Sequence, residues 1–185
     1  MTYAIDPHNS WLALEQAAEN ESSERRRQLI TEVRNHMEAE INGRLEPLMD
    51  TLTAEPIYHF WGRGEPMVLE GREAVEGFYA GMFQTGGEQF EVVVENVIAS
   101  DQHVVTEGQV KQVYPGATLL AMGVETADGQ PIDGDQLYLS NAQLVTVWPA
   151  DPDGKLVGED IYFGVDPMAT LKPIEREALP PYYKL

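Results

Sequence analysis

The stretch Pro56–Tyr79, PIYHFWGRGEPMVLEGREAVEGFY, constrains the fold more than any other part of the chain. Ile57–Trp61 is rich in β-formers, Gly62–Pro66 is turn-like, and Met67–Leu69 makes a short return strand, so a hairpin is predicted. Gly71 precedes a helix with Ala74, Val75, Phe78, Tyr79 and Met82 on one face, closed by Thr85-Gly86-Gly87. Helical periodicity lies before this segment and strand-like runs lie after it. That order predicts a sheet wrapped around helices, with a pocket between the layers.

Upstream, Leu29, Val33, Met37 and Ile41 recur every fourth residue with Ile30 beside them. They form the apolar stripe of a long helix opened by Ser22 or Ser23. His36 reads as part of its polar side. Asn42-Gly43 interrupts the helix. Leu45, Leu48, Met49 and Leu52 continue the periodicity in a shorter helix from about Arg44, with Pro47 in its first turn. Ala54-Glu55-Pro56 ends the helical region. Downstream, Phe90–Ser100 and His103–Tyr114 flank Asp101-Gln102 as a tight hairpin. Thr118–Val124 reads as a strand weakened by Gly123, and Thr126–Gly134 as a loop. Gln136–Trp148 and Lys155–Val165 read as two strands joined by Pro149–Gly154. Pro167–Glu177 reads as a short helix interrupted by Pro173. The expected organisation is an N-terminal arm (1–21), one domain (22–172) and a C-terminal tail (173–185).

Composition narrows the function. A chain of 185 residues, 43% of them apolar, suffices for one domain with a real core. Twelve basic against 31 acidic residues give a net charge of −19, which argues against nucleic acid, because phosphate neutralisation needs clustered Lys and Arg. The run Arg25-Arg26-Arg27 sits among Glu21, Glu24 and Glu32 and reads as an ion-paired helix face. With no Cys, disulfides, Cys-ligated zinc and thiol catalysis are excluded. The N-terminus lacks the pattern of a signal peptide, and no apolar run approaches the ~20 residues that span a membrane. A soluble cytoplasmic protein with no membrane partner is expected. HExxH, EF-hand, GxGxxG, P-loop and GxSxG motifs are missing, and Asp128, Asp133 and Asp135 lack calcium-loop spacing, so neither metal nor cofactor is expected.

The layout of helix, helix, hairpin, helix and then antiparallel strands resembles the NTF2-like superfamily and, within it, the SnoaL-like branch. Three stretches carry the likeness. Val33–Leu52 is a helix, a polar-Gly break and a second helix with spaced leucines. Ile57-Tyr58-His59-Phe60 with Leu69-Glu70-Gly71-Arg72-Glu73-Ala74-Val75 is similar to the family's strand, glycine and third helix. Gly154–Phe163 is similar to its last strand, with an acidic residue and an aromatic. The likeness spans roughly residues 25–172. It implies an α+β fold: a cone-shaped, curved, mostly antiparallel sheet packed on three N-terminal helices, with an apolar cavity at the wide end. It also implies the company of polyketide cyclases, ketosteroid isomerases, dehydratases, epoxide hydrolases and non-catalytic binding proteins. Their shared logic is a carboxylate in an apolar pocket, where desolvation raises its pKa and makes it useful for proton transfer.

On that resemblance Asp160 is the first catalytic candidate, beside the acidic general acid/base of SnoaL-type cyclases. Asp160 and Tyr162 share one strand face, and a base next to a phenol suits enolate chemistry. A register shift of one residue would put Glu159 there instead. His59 lies where the family often places a His or an aromatic at the pocket mouth, as a donor or proton relay; a His bonded to backbone at a strand edge is the competing reading. Glu107, Gln109 and Lys111 form a polar strand face. If it lines the cavity, Glu107 and Lys111 are an acid/base or ion pair; if it faces solvent, they decorate the outer sheet. Tyr58, Trp61, Tyr79, Met82, Asn141 and Lys111 are the candidate ligand contacts.

The expected function is an acid/base enzyme acting on a hydrophobic, carbonyl-bearing small molecule by cyclisation, isomerisation or dehydration. The alternative is a binding or accessory protein with the same cavity. Val92-Val93-Val94 and Val104-Val105 suggest a sheet face for a homodimer, with the arm and the Tyr182-Tyr183 tail crossing onto a partner.

Overall fold

A computed structural model of the chain describes residues 3–62 and 64–185. Met1 and Thr2 of the expected arm, and Arg63 of the expected turn, lie outside the described residues.

Helix α1 (Leu12–Asn20) leads into the long helix α2 (Glu24–Ile41), whose N-terminus is capped by the Ser23 hydroxyl accepting from the Arg26 amide. Leu29, Ile30, Val33, Met37 and Ile41 are buried, as the stripe predicts. Helix α3 (Leu45–Asp50) follows the Asn42-Gly43 break. Leu52 does not extend it but opens strand β1 (Leu52–Trp61). The strand therefore begins before Pro56, whose missing N–H falls where β1 loses register with its parallel neighbour, between Leu52 and Ile57. Strand β2 (Met67–Glu70) completes the hairpin, and Gly71, at φ +84°, hands the chain to helix α4 (Arg72–Gln84).

The remaining long strands are β3 (Phe90–Ala99) and β4 (His103–Pro115), then, after the insertion described below, a strand over Leu137–Pro149 and another over Leu156–Phe163. Thr118–Val124 is not a strand. Helix α5 (Gly116–Ala121) occupies that segment, because Leu119 packs into a satellite core with Ala127, Ile132, Tyr138 and Leu171, and Ala and Leu favour helix once that packing is available. The loop beyond it carries the two-residue strands β5 (Thr126–Ala127) and β6 (Gln130–Pro131), so the long strands are β7 (Leu137–Pro149) and β8 (Leu156–Phe163). In place of the expected helix over Pro167–Glu177 there is a 3₁₀ turn, Pro167–Thr170, and a short strand, β9 (Lys172–Ile174), paired with β7.

Among the described residues seven strands form one curved sheet in the order β2-β1-β8-β7-β4-β3, with β9 beside β7. Only the β1/β8 pairing in it is parallel. The concave face packs on α1, α2 and α4 through a core that includes Leu29, Val33, Tyr58, Val75, Tyr79, Val104 and Trp148. The fold is the mixed α+β architecture the sequence implies.

The arm lies on the chain's own sheet. The Ser10 hydroxyl accepts from the Val92 amide at 3.0 Å, and the Ala4 amide donates to the Ala178 carbonyl at 2.9 Å. Ile5, Val113, Leu179 and Tyr183 form a small core on the outer side of β4. The His8 ring stacks on Tyr182 at 4.2 Å, and the Tyr182 hydroxyl donates to Asp6.

Candidate functional site

A hollow of about 350 Å³ opens between the concave sheet face and helices α2 and α4. Phe60, Phe78, Phe90, Trp148 and Phe163 supply aromatic wall, with Met82 and Ile161 between them. Thr106, Thr146, Ser140 and Gln112 place polar atoms along β4 and β7. Among the described residues lining it, none is Lys or Arg, and the ionisable carboxyls are Glu40 and Glu159.

The bottom of the hollow is a buried polar cluster. His36 is 0% exposed and Glu159 is 5% exposed. The Tyr79 hydroxyl donates to Glu159 Oε1 at 3.0 Å, and His36 Nε2 lies 3.3 Å from the same oxygen. His36 Nε2 is also 3.1 Å from the Tyr79 oxygen and 3.4 Å from the Tyr58 oxygen, and the two phenols are 3.2 Å apart. On its other side, His36 Nδ1 lies 2.6 Å from Thr51 Oγ1, whose hydroxyl donates to the Leu48 carbonyl at 2.6 Å.

Electrostatics separate these groups. Burial, and secondarily the charge on Glu159, pushes the Glu40 carboxyl well above the usual carboxylate range, so it holds its proton. Burial and the same charge also raise the Tyr58 and Tyr79 phenols well above their ordinary value, which keeps both as neutral donors. A protonated carboxyl, a second carboxyl and neutral phenols at one end of an apolar chamber can give and take protons where water is scarce.

Asp160 does not point into this chamber. Ala150 bridges Leu156 while Val147 pairs with Asp160, so three steps along β7 match four along β8. The extra residue is a bulge at Gly158-Glu159 that reverses the alternation of faces. Gly158 makes it possible: at φ +151°, a Cβ there would sit 1.7 Å from the Ile57 carbonyl oxygen. Past the bulge, Glu159, Ile161 and Phe163 line the hollow, while Asp160 and Tyr162 face outward.

The other expected residues divide along the same faces. Tyr79 and Met82 line the hollow, and Tyr58 lies fully buried behind it. His59 is on the outer face with its Nδ1 2.7 Å from Asp160 Oδ1, and its ring stacks on Trp61, which stacks on Tyr162. Glu107 also faces outward: it accepts from Asn96 Nδ2 at 2.5 Å and is not paired with Lys111, which instead reaches Glu91 at 3.3 Å. Asn141 is exposed on the outer side of β7.

His36, Glu40 and Thr51 were not among the expected site residues. The signal was in α2: His36 and Glu40 lie three residues beyond Val33 and Met37, on the flank of the buried stripe. There His36 is fully buried and Glu40 half-buried, and a stripe read only at every fourth residue passes over them.

Residues 33–157 match the SnoaL-like domain family. The chain belongs to it. Solved structures agree on the SnoaL-like fold. A protein of Jannaschia sp. CCS1, classed as a SnoaL-like polyketide cyclase, is 20% identical, with TM-score 0.56 over 78% of this chain and 91% of that one. SalBIII, an epoxide hydrolase/cyclase-like enzyme with a role in pyran ring formation in the polyether salinomycin, is 14% identical, with TM-score 0.53 over 86% of this chain and 98% of its own. An NTF2-like protein of Burkholderia xenovorans LB400 is 13% identical, with TM-score 0.52 over 77% and 92% of the two chains. No curated protein matches in sequence. Among the described residues of this SnoaL-like chain, no helix is long and apolar enough to cross a membrane.

Proposed function

We propose that this SnoaL-like protein is a cofactor-free acid/base enzyme acting on a hydrophobic, carbonyl-bearing small molecule. The observation that carries the reading is that Glu40 and Glu159 both line one aromatic-walled hollow, where burial and the charge on Glu159 push the Glu40 carboxyl well above the usual carboxylate range. Glu159 takes a proton from the carbon next to the ligand carbonyl. Glu40 gives its proton to the carbonyl oxygen, and an enol results. Glu159 returning its proton to another carbon of a conjugated ligand, while the enol O–H proton goes back to Glu40, isomerises the ligand; attack of the enol carbon on a second carbonyl closes a ring, with Glu159 protonating the new alkoxide and Glu40 recovering the enol proton. The Tyr79 hydroxyl, donating to Glu159 Oε1, stabilises the Glu159 carboxylate before it takes the proton, and exclusion of water strengthens this interaction. Some structural relatives are described as cyclases, which is consistent with this chemistry.

The test is exchange of the α-hydrogens of a bicyclic aromatic ketone, 2-tetralone, in D₂O, with Glu159→Gln and Asp160→Asn compared. Exchange above background that is lost in Glu159→Gln and kept in Asp160→Asn is expected. Equal exchange in wild type and Glu159→Gln refutes the assignment.

We also propose a homodimer through the uncovered part of the outer sheet face, where Ile98 is 65% exposed and Tyr162 43%. Light scattering after size exclusion tests it, and a monomer at high concentration refutes it.

A further inference from the structure

We infer that Thr51 and His36 form a proton relay joining the bottom of the hollow to a separate cleft on the protein surface. This cleft, of about 370 Å³, lies on the far side of α2 and is lined by Glu32, Asn35, Asp50, Thr51 and Lys155. Lys155 Nζ spans it, donating to Glu32 Oε1 at 2.8 Å and to the Asp50 carbonyl at 2.7 Å. Thr51 is thus shared: it lines the cleft, and its hydroxyl oxygen lies 2.6 Å from His36 Nδ1.

The direction of each bond follows from counting hydrogens. Thr51 has one hydroxyl hydrogen and gives it to the Leu48 carbonyl, which can only accept. The Thr51 oxygen must therefore accept from His36, so the imidazole carries its hydrogen on Nδ1. Nε2 is left bare toward Glu159 Oε1, Tyr79 and Tyr58. A proton arriving from the Glu159 side binds Nε2. The imidazolium then releases the Nδ1 hydrogen to Thr51 Oγ1, and Thr51 passes its original hydrogen from Leu48 to water in the cleft. One proton enters at Nε2 and one leaves at Thr51; the ring is left with its hydrogen on Nε2, ready to run the path in reverse.

Such a route has a reason to exist. A ligand filling the hollow displaces its water, and the aromatic side chains of Phe60, Phe78, Phe90 and Trp148 do not replace it as proton carriers. The relay lets Glu159 exchange protons with solvent while the ligand is in place. Its purpose rests on the acid/base reading proposed above, but the test uses the ligand-free protein, so either idea can fail without the other.

The test is long-range ¹H–¹⁵N spectroscopy of the full chain labelled with ¹⁵N-histidine, with His36 assigned by its loss in His36→Gln. Wild type and Thr51→Ser are expected to show the Nδ1–H tautomer. In Thr51→Val the ring N–H should exchange with solvent at least tenfold more slowly than in wild type, whereas Thr51→Ser should match wild type. A purely structural hydrogen bond predicts the opposite, because removing its acceptor would speed exchange. Exchange in Thr51→Val that is unchanged or faster overturns the relay. An Nε2–H tautomer in wild type overturns it as well, and needs no variant to fold.

Discussion

Replacing Glu40 with Gln should make the protein more stable at neutral pH, by an amount that grows with pH. The folded state raises the Glu40 pKa, chiefly by burial and then by the charge on Glu159. Below about 4.5, the ordinary value for this carboxyl, folded and unfolded chains both hold the proton and Glu40 adds no slope. Above it the unfolded chain releases the proton while the folded chain keeps it, so stability falls as pH rises, until the folded pKa is passed. One proton of difference corresponds to a slope of at most about 1.4 kcal/mol per pH unit. For a chain of this length that amounts to about 3–5 °C in Tm per pH unit. Gln keeps the shape and cannot titrate, so the difference between Glu40→Gln and wild type isolates this group from the other acidic residues. Urea unfolding of both proteins at pH 5, 6, 7 and 8 measures it. The gap should widen from pH 5 upward and then level off. Repeating the series on a Glu159→Gln background should make it level off at lower pH, because one of the two causes of the shift is gone. A gap that stays constant between pH 5 and 7 would refute the claim that Glu40 holds a proton in the fold.

Asp160→Asn should change stability by less than about 1 kcal/mol, because its pair with His59 lies on the partly exposed outer face; a loss of several kcal/mol in urea unfolding would show that this pair is structurally important. Gly158→Ala should cost at least about 3 kcal/mol or abolish soluble expression, since the added Cβ meets the Ile57 carbonyl oxygen at 1.7 Å. Near-native Tm in that variant would mean that the bulge does not set the facing of β8.

The helices and the hairpin were legible because their signals are local. The stripe from Leu29 to Ile41, the Asn42-Gly43 break and the Gly71 entry to α4 each stand in a few adjacent residues. The facing of β8 was not legible. It depends on one extra residue relative to β7 and on the approach of the Ile57 backbone to Gly158, both of them long-range facts. Glycine at 158 was visible in the sequence, but the strand alternation read through it led to Asp160 and Tyr162. Helix α5 was missed for a similar reason, since its conformation is decided by packing of Leu119 against Tyr138 and Leu171. His36 and Glu40 belong to a third kind of case. They sit on a helix that was read correctly, and only the width assigned to its buried face left them out.

The meeting of the arm with the tail has a mechanical consequence. Ala4 bonds to Ala178, and Asp6 and His8 hold Tyr182, so segments near the two extremities of the chain clasp one another across β3 and β4. Pulling either segment away frees the other, and the two should melt as one unit. Hydrogen exchange at the Ala4 amide, bonded to Ala178, and at the Val92 amide, bonded to Ser10, would report that loosening ahead of exchange in the core of the curved sheet.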